Sequence, residues 1–150
     1  MTVEAYLPGD YIEDNRQKVE LYKRVRETAN EEQERELEDD LIDRFGDYPQ
    51  PVTNLIRIAR LKRLADAALV DKIHQQEQKL FVTMSKVATT QLAGEPIFAA
   101  LGATKLRATV AETEGRLVVT LTIPRGMKTD EWLTELEHFV TKLGAMRTGK

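Results

Sequence analysis

Arg116-Leu117-Val118-Val119-Thr120-Leu121-Thr122-Ile123 is the stretch that decides the fold class. Leu117, Val119, Leu121 and Ile123 alternate with Val118, Thr120 and Thr122, the period-two pattern of a strand covered on one face. Glu114-Gly115 stands just before it, and Leu106 to Ala111 is a further extended run. Two such runs around a short turn read as a β-hairpin. A second hairpin is expected upstream, from Leu69-Val70-Asp71-Lys72-Ile73 and Lys79-Leu80-Phe81-Val82-Thr83-Met84, with Gln75-Gln76-Glu77-Gln78 as its turn. Hairpins impose antiparallel pairing, so the class is α+β and not doubly wound α/β.

Helical signals surround these hairpins. Gln91 to Leu101 reads as a short helix between them. After Pro124-Arg125-Gly126, Thr129 is placed to cap a last helix. That helix turns Trp132, Leu133, Leu136, Phe139, Val140 and Leu143 inward, and Gly144 is expected to stop it. Before the first hairpin come three helices. Asp14 suits the cap of the first, with Gln17 three residues on and Val19, Tyr22 and Val25 at helical spacing. Asn30 suits the cap of the second, whose first-turn acids favour the positive end of the helix dipole. Pro51 suits the first turn of the third, which carries Val52, Leu55, Ile56, Ala59, Leu64 and Ala68. The expected architecture is therefore N-terminal helices, two antiparallel hairpins forming a small sheet, and a C-terminal helix packed on it.

A chain of 150 residues suits a single domain, residues 1–150, with 1–13 an extended lead-in and 145–150 a frayed tail. Hydrophobic content of 41% and charged content of 31% are those of a globular protein. With no cysteine there is neither a disulfide nor a thiolate metal site, and a reducing cytoplasm is the natural compartment. No apolar run approaches the ~20 residues that span a bilayer, so no membrane is expected among the partners.

The second helix holds the sharpest local motif, Asp40-Leu41-Ile42-Asp43-Arg44-Phe45-Gly46 followed by Pro49 and Pro51. Leu37, Leu41 and Phe45 repeat every four residues and line one stripe. Asp40, Asp43 and Arg44 stand at i, i+3 and i+4 on one polar face, which Glu36 and Asp47 extend. Gly46 suits the helix stop, while Phe45 and Pro49 are expected to fix that end against the third helix. Asp40 and Arg44 can simply pair with one another. Arg44 can equally clamp a partner's carboxylate with its planar fork.

Charge is unevenly spread. Glu31 to Asp43 contains eight acids and one base, while Arg57, Arg60, Lys62 and Arg63 cluster downstream. The two runs suit internal balance between neighbouring helices or two partner-facing surfaces. A net charge of −3 argues against a dedicated nucleic-acid binder. The alternative function is an independent nucleic-acid-binding module on a basic helix face, using Arg57 and Arg60, with Lys105 and Arg107 as further phosphate contacts. Trp132 and Phe139 are poor stacking platforms because they fall at core spacing.

Catalytic chemistry has little to rest on. The chain contains no GxxxxGK[ST], GxGxxG, HExxH or GxSxG pattern. Gly102-Ala103-Thr104-Lys105 lacks the first glycine of a phosphate loop, and His74 and His138 read as ordinary edge and surface residues. No catalytic residue, metal ligand or cofactor is expected.

The motifs carry a resemblance. Ala5-Tyr6-Leu7-Pro8 with Tyr11-Ile12, then Leu21-Tyr22-Lys23-Arg24, then Leu41-Ile42-Asp43-Arg44-Phe45-Gly46 with Pro49, Pro51, Val52 and Leu55, resembles the C-terminal domain of the bacterial transcription-repair coupling factor, the Mfd family. The likeness covers nearly the whole chain and is looser in the second half. Where Asp40 stands, the family often has glutamate. The resemblance implies a regulatory domain of a larger bacterial DNA translocase, whose ATPase lies in other domains and which displaces stalled RNA polymerase. It implies docking on an N-terminal UvrB-like domain of the same protein, hiding the surface that binds UvrA. The family's contact residues carry over to Asp40, Asp43 and Arg44.

Overall fold

The computed structural model describes residues 3–148, so residues 1–2 of the expected lead-in and 149–150 of the expected tail lie outside the described residues. The element order is α1 (Asn15–Glu27), α2 (Glu31–Phe45), α3 (Gln50–Ala67), β1 (Val70–Gln76), β2 (Lys79–Met84), α4 (Lys86–Leu92), α5 (Glu95–Leu101), β3 (Arg107–Thr113), β4 (Arg116–Thr122) and α6 (Thr129–Arg147). The strands form one antiparallel sheet in the order β1-β2-β4-β3, so the fold is α+β. Two compact units divide the chain, one ending at Arg63 and the other beginning at Leu64.

In the first unit, side chains close both helix starts. Asp14 accepts from the Arg16 N–H, and Asn30 accepts from the Gln33 N–H. Leu21 and Val25 of α1, Leu37 and Leu41 of α2, and Val52 and Ile56 of α3 form one core with Leu7 and Ile12. The N-terminal segment is thus anchored. The Leu7 N–H donates to the Tyr22 hydroxyl at 2.8 Å, and the Tyr6 N–H donates to the Pro51 carbonyl at 3.2 Å. Val19 departs from the expected stripe and is 69% exposed. It lies two residues before Leu21, on the far side of the helix from the buried pair.

In the second unit, one face of the sheet is buried through Leu80, Val82 and Met84 of β2 and Leu117, Val119 and Leu121 of β4. Helix α4 lies against both strands, and α6 lies against α4 and α5. Leu133, Leu136, Phe139, Val140 and Leu143 of α6 are fully enclosed. The second hairpin turns through Glu114 (φ 55°) and Gly115 (φ 78°), the paired left-handed backbone of a tight hairpin turn. The first turns through two residues, Glu77 and Gln78, so β1 extends past Ile73 to Gln76.

Three expectations in this unit need correction. The region between the hairpins holds two helices, not one. Ser85 caps α4 by accepting from the Ala88 N–H, and Gly94 at φ 88° separates α4 from α5. Nor does Gly144 stop the last helix, which continues to Arg147. A Cβ at Gly144 would lie 3.8 Å from the Ala68 methyl, so glycine there serves a close approach. Thr129 is the first helical residue and Lys128 takes the cap position without a side-chain bond.

Candidate docking face on the second helix

The apolar stripe of α2 holds its polar face in place. Leu37 and Leu41 are buried, and the half-buried Phe45 meets the Tyr11 ring at 5.8 Å between centroids. The Tyr11 hydroxyl donates to the Gly46 carbonyl at 2.8 Å and lies 3.3 Å from the Leu41 carbonyl. Gly46 has φ 84°, a left-handed conformation that glycine adopts without a Cβ penalty. The Pro49 carbonyl then accepts from the Val52 and Thr53 N–H groups, which opens α3. Phe45 and Gly46 therefore close α2, Pro49 opens α3, and Pro51 ties that corner to Tyr6.

Asp40 is the hub of the polar face. Arg24 of α1 donates to its Oδ2 at 2.6 Å, and Arg44 donates to the same oxygen at 3.3 Å. These bonds, Arg24's foremost, hold the Asp40 carboxyl below the usual carboxylate range against a smaller opposing effect of burial. The Arg44 guanidinium also sits over the Phe45 ring at 5.0 Å. The i, i+4 pair read from the sequence is present, but the shorter contact comes from another helix. With side-chain exposures of 40%, 35% and 40% for Arg24, Asp40 and Arg44, these ion pairs add at most about 1 kcal/mol each to stability. Their larger effect is geometric, since a shared oxygen orients both guanidiniums.

Asp43 and Glu36 are exposed, and no hydrogen bond or ion pair ties either to another described residue. Glu36 borders a groove of about 500 Å³ lined also by Glu20, Lys23, Arg24, Glu27 and Gln33. The face is thus a mixed-charge surface with a negative excess, built on α2 and bordered by α1.

The downstream basic cluster is turned largely inward. Glu34, one of the eight acids and buried, accepts from Arg60 at 2.7 Å and from Arg63 at 3.5 Å. Arg57 is half-buried and Lys62 is exposed. Arg60 is therefore a structural tie and not an open phosphate contact. One turn further along α2, the Tyr48 hydroxyl donates to Glu38 at 2.9 Å. Burial, then the bond to Glu38, push its pKa up to about 12.

The internal balance between the acidic helix and the downstream basic cluster that the sequence suggested is present in the Arg60–Glu34 pair, but neither the exact partners nor the Arg24–Asp40 tie was readable. The paired residues lie 26 and 16 residues apart, beyond any helical repeat. Among the described residues no group of three or more histidines or acids is placed to hold a metal ion, and no helix is long and apolar enough to cross a membrane.

Known proteins place this arrangement. The family model described as the TRCF domain matches residues 1–94, which include the whole docking face. The chain is 36% identical over 131 residues to the transcription-repair-coupling factor of Bacillus subtilis, covering 87% of this chain and 11% of that protein. It is 35% identical over 140 residues to the factor of Staphylococcus haemolyticus, covering 93% of this chain and 12% of the relative. This chain belongs to the transcription-repair coupling factor family. A crystal structure of the C-terminal domain of transcription-repair coupling factor superposes with a TM-score of 0.93 at 33% identity, covering 100% of this chain and 92% of that one. The chain therefore has the fold of the C-terminal domain of transcription-repair coupling factor. It spans about an eighth of the length of the curated relatives it matches. The residues that first suggested the family have structural work in it, since Tyr22 holds the N-terminal segment and Arg24 holds Asp40.

Proposed function

We propose that the chain acts as one regulatory domain of a bacterial transcription-repair coupling translocase. The parent protein acts in the cytoplasm on DNA and RNA polymerase. This domain docks on the parent's N-terminal UvrB-like domain through Asp40, Asp43, Arg44 and Glu36, and so masks the surface that binds UvrA. The observation that carries the reading is the state of the α2 face. Asp40 and Arg44 are oriented by their ion pair while Asp43 and Glu36 stand exposed with no ion pair to another described residue. A rigid, hydrated, polar face suits a contact that must open again, because it exposes no large apolar surface when released.

Magnitudes suit a latch. A closed-to-open ratio of about 99:1 requires about 2.7 kcal/mol. A few charge-assisted contacts supply that when tethering raises the effective concentration toward millimolar. Detached, the same face binds weakly, and salt weakens it further because exposed charges are screened over about 8–10 Å.

The test is competition. With the UvrB-like domain immobilised, this chain binds and soluble UvrA displaces it in a dose-dependent way. Simultaneous, independent binding of both would remove the masking role. The helix-face alternative for nucleic acid is not favoured, because Arg60 is already committed to Glu34.

A further inference from the structure

The second unit carries a surface that docking through α2 does not use. Opposite its buried face, the sheet presents another set of side chains. The register places His74, Phe81, Thr120 and Thr109 in one row across the four strands, with Gln76, Lys79, Thr122 and Arg107 in the next. Lys72 joins from the row on the other side, opposite Thr83. Lys72, His74, Lys79 and Arg107 are exposed, and Phe81 is half-exposed.

Two properties set this face apart. The Phe81 ring stacks on the His74 imidazole, with centroids 6.3 Å apart and planes 26° from parallel, so a flat aromatic pair lies open on the sheet. Lys72, Lys79 and Arg107 surround it, and none is ion-paired to another described residue. Asp71 of β1 is tied to Arg116, so its charge is already met. A chain with net charge −3 thus keeps three open cations around one aromatic platform.

We propose that this sheet face binds single-stranded nucleic acid, one base stacking on the Phe81–His74 pair and phosphates meeting Lys72, Lys79 and Arg107. Stacking platforms beside basic side chains are the general means of holding single strands without sequence preference. A duplex buries the faces of its bases and cannot use the aromatic pair. An acidic protein surface would use the cations and leave the pair idle. The proposal is independent of docking by α2, and it differs from the basic helix face considered above, whose Arg60 is internally paired.

The test uses the 150-residue chain and fluorescein-labelled dT15 and U15, read by anisotropy. Saturable binding is expected, with a slope of log affinity against log salt of about −2 for three phosphate contacts. Lys79→Glu with Arg107→Glu, both at exposed positions, is expected to lower affinity more than tenfold and flatten that slope. Phe81→Thr, checked for folding by circular dichroism, is expected to lower affinity about fivefold or more at unchanged slope. Absence of binding to both oligonucleotides overturns the proposal. So does binding indifferent to the charge-reversed pair, equal affinity for a duplex of the same length, or poly-glutamate binding with the same dependence on Phe81.

Discussion

The two units of this chain arrange charge differently. In residues 3–63, charges meet across helices: Glu34 with Arg60 and Arg63, and Asp40 with Arg24 and Arg44. On the sheet of residues 64–148, Lys72, Lys79 and Arg107 stand open around an aromatic pair. The difference teaches that a net charge of −3 says little about which surface a partner meets. The strongly acidic helix is partly neutralised from within, and the unit without an obvious basic run gathers three open cations around an aromatic pair.

The sharpest way to probe the contrast is through the two cores. Phe139→Ala empties a fully enclosed site in the sheet unit, and Leu41→Ala does so in the helical unit. Each is expected to cost about 3–5 kcal/mol, measured by urea unfolding. Hydrogen exchange is expected to show protection lost first in the unit that carries the substitution. Uniform loss across both units would break the comparison and make the chain one cooperative body.

Next in size is the buried acid. Glu34→Ala leaves Arg60 and Arg63 without their carboxylate, and a loss of about 2 kcal/mol is expected in the same assay. Glu36→Ala, at an exposed position with no ion pair to another described residue, is expected within about 0.5 kcal/mol of the unsubstituted chain. Equal effects would mean that Glu34 is not a structural tie.

Smaller effects follow from titration. Asp40 has a folded pKa below its unfolded value near 4, so its stabilisation is present above that pH. It is lost as the pH falls through the lower, folded value. Asp40→Asn is expected to remove that component of the acid limb while costing less than about 1 kcal/mol at pH 7. Tyr48 has the opposite sign. Its folded pKa is raised from 10.0 to about 12, so its contribution is whole below pH 10 and is lost between pH 10 and about 12. Tyr48→Phe is expected to flatten that alkaline loss.

Much of the fold was legible because local chemistry and packing agree. Asn30, the four-residue stripe of Leu37, Leu41 and Phe45, and Gly46 bound α2 as read. The alternation of Leu117, Val119 and Leu121 gave β4, and Glu114-Gly115 gave its turn. Helix α4 was missed because it is only seven residues long and includes Val87, Thr89 and Thr90, which suit strands as well; Ser85 was its one clear signal. Gly144 misled because a helix stop and a close approach to Ala68 call for the same residue. In the candidate site, the shared face of Asp40, Asp43 and Arg44 followed from helical spacing. Arg24's grip on Asp40 depends on how α1 meets α2, which no spacing within one helix encodes. The sheet face went unread for a related reason, since His74 and Arg107 join Phe81 and Lys79 only through strand register.

The central claim, that the α2 face is a docking surface, is tested most directly by titrating this chain into the N-terminal UvrB-like domain in a calorimeter. Salt-sensitive binding is expected for the parent chain, with at least a tenfold loss for Asp43→Ala combined with Arg44→Ala. Unchanged binding by that double variant, with its circular dichroism and unfolding midpoint intact, would contradict the assignment.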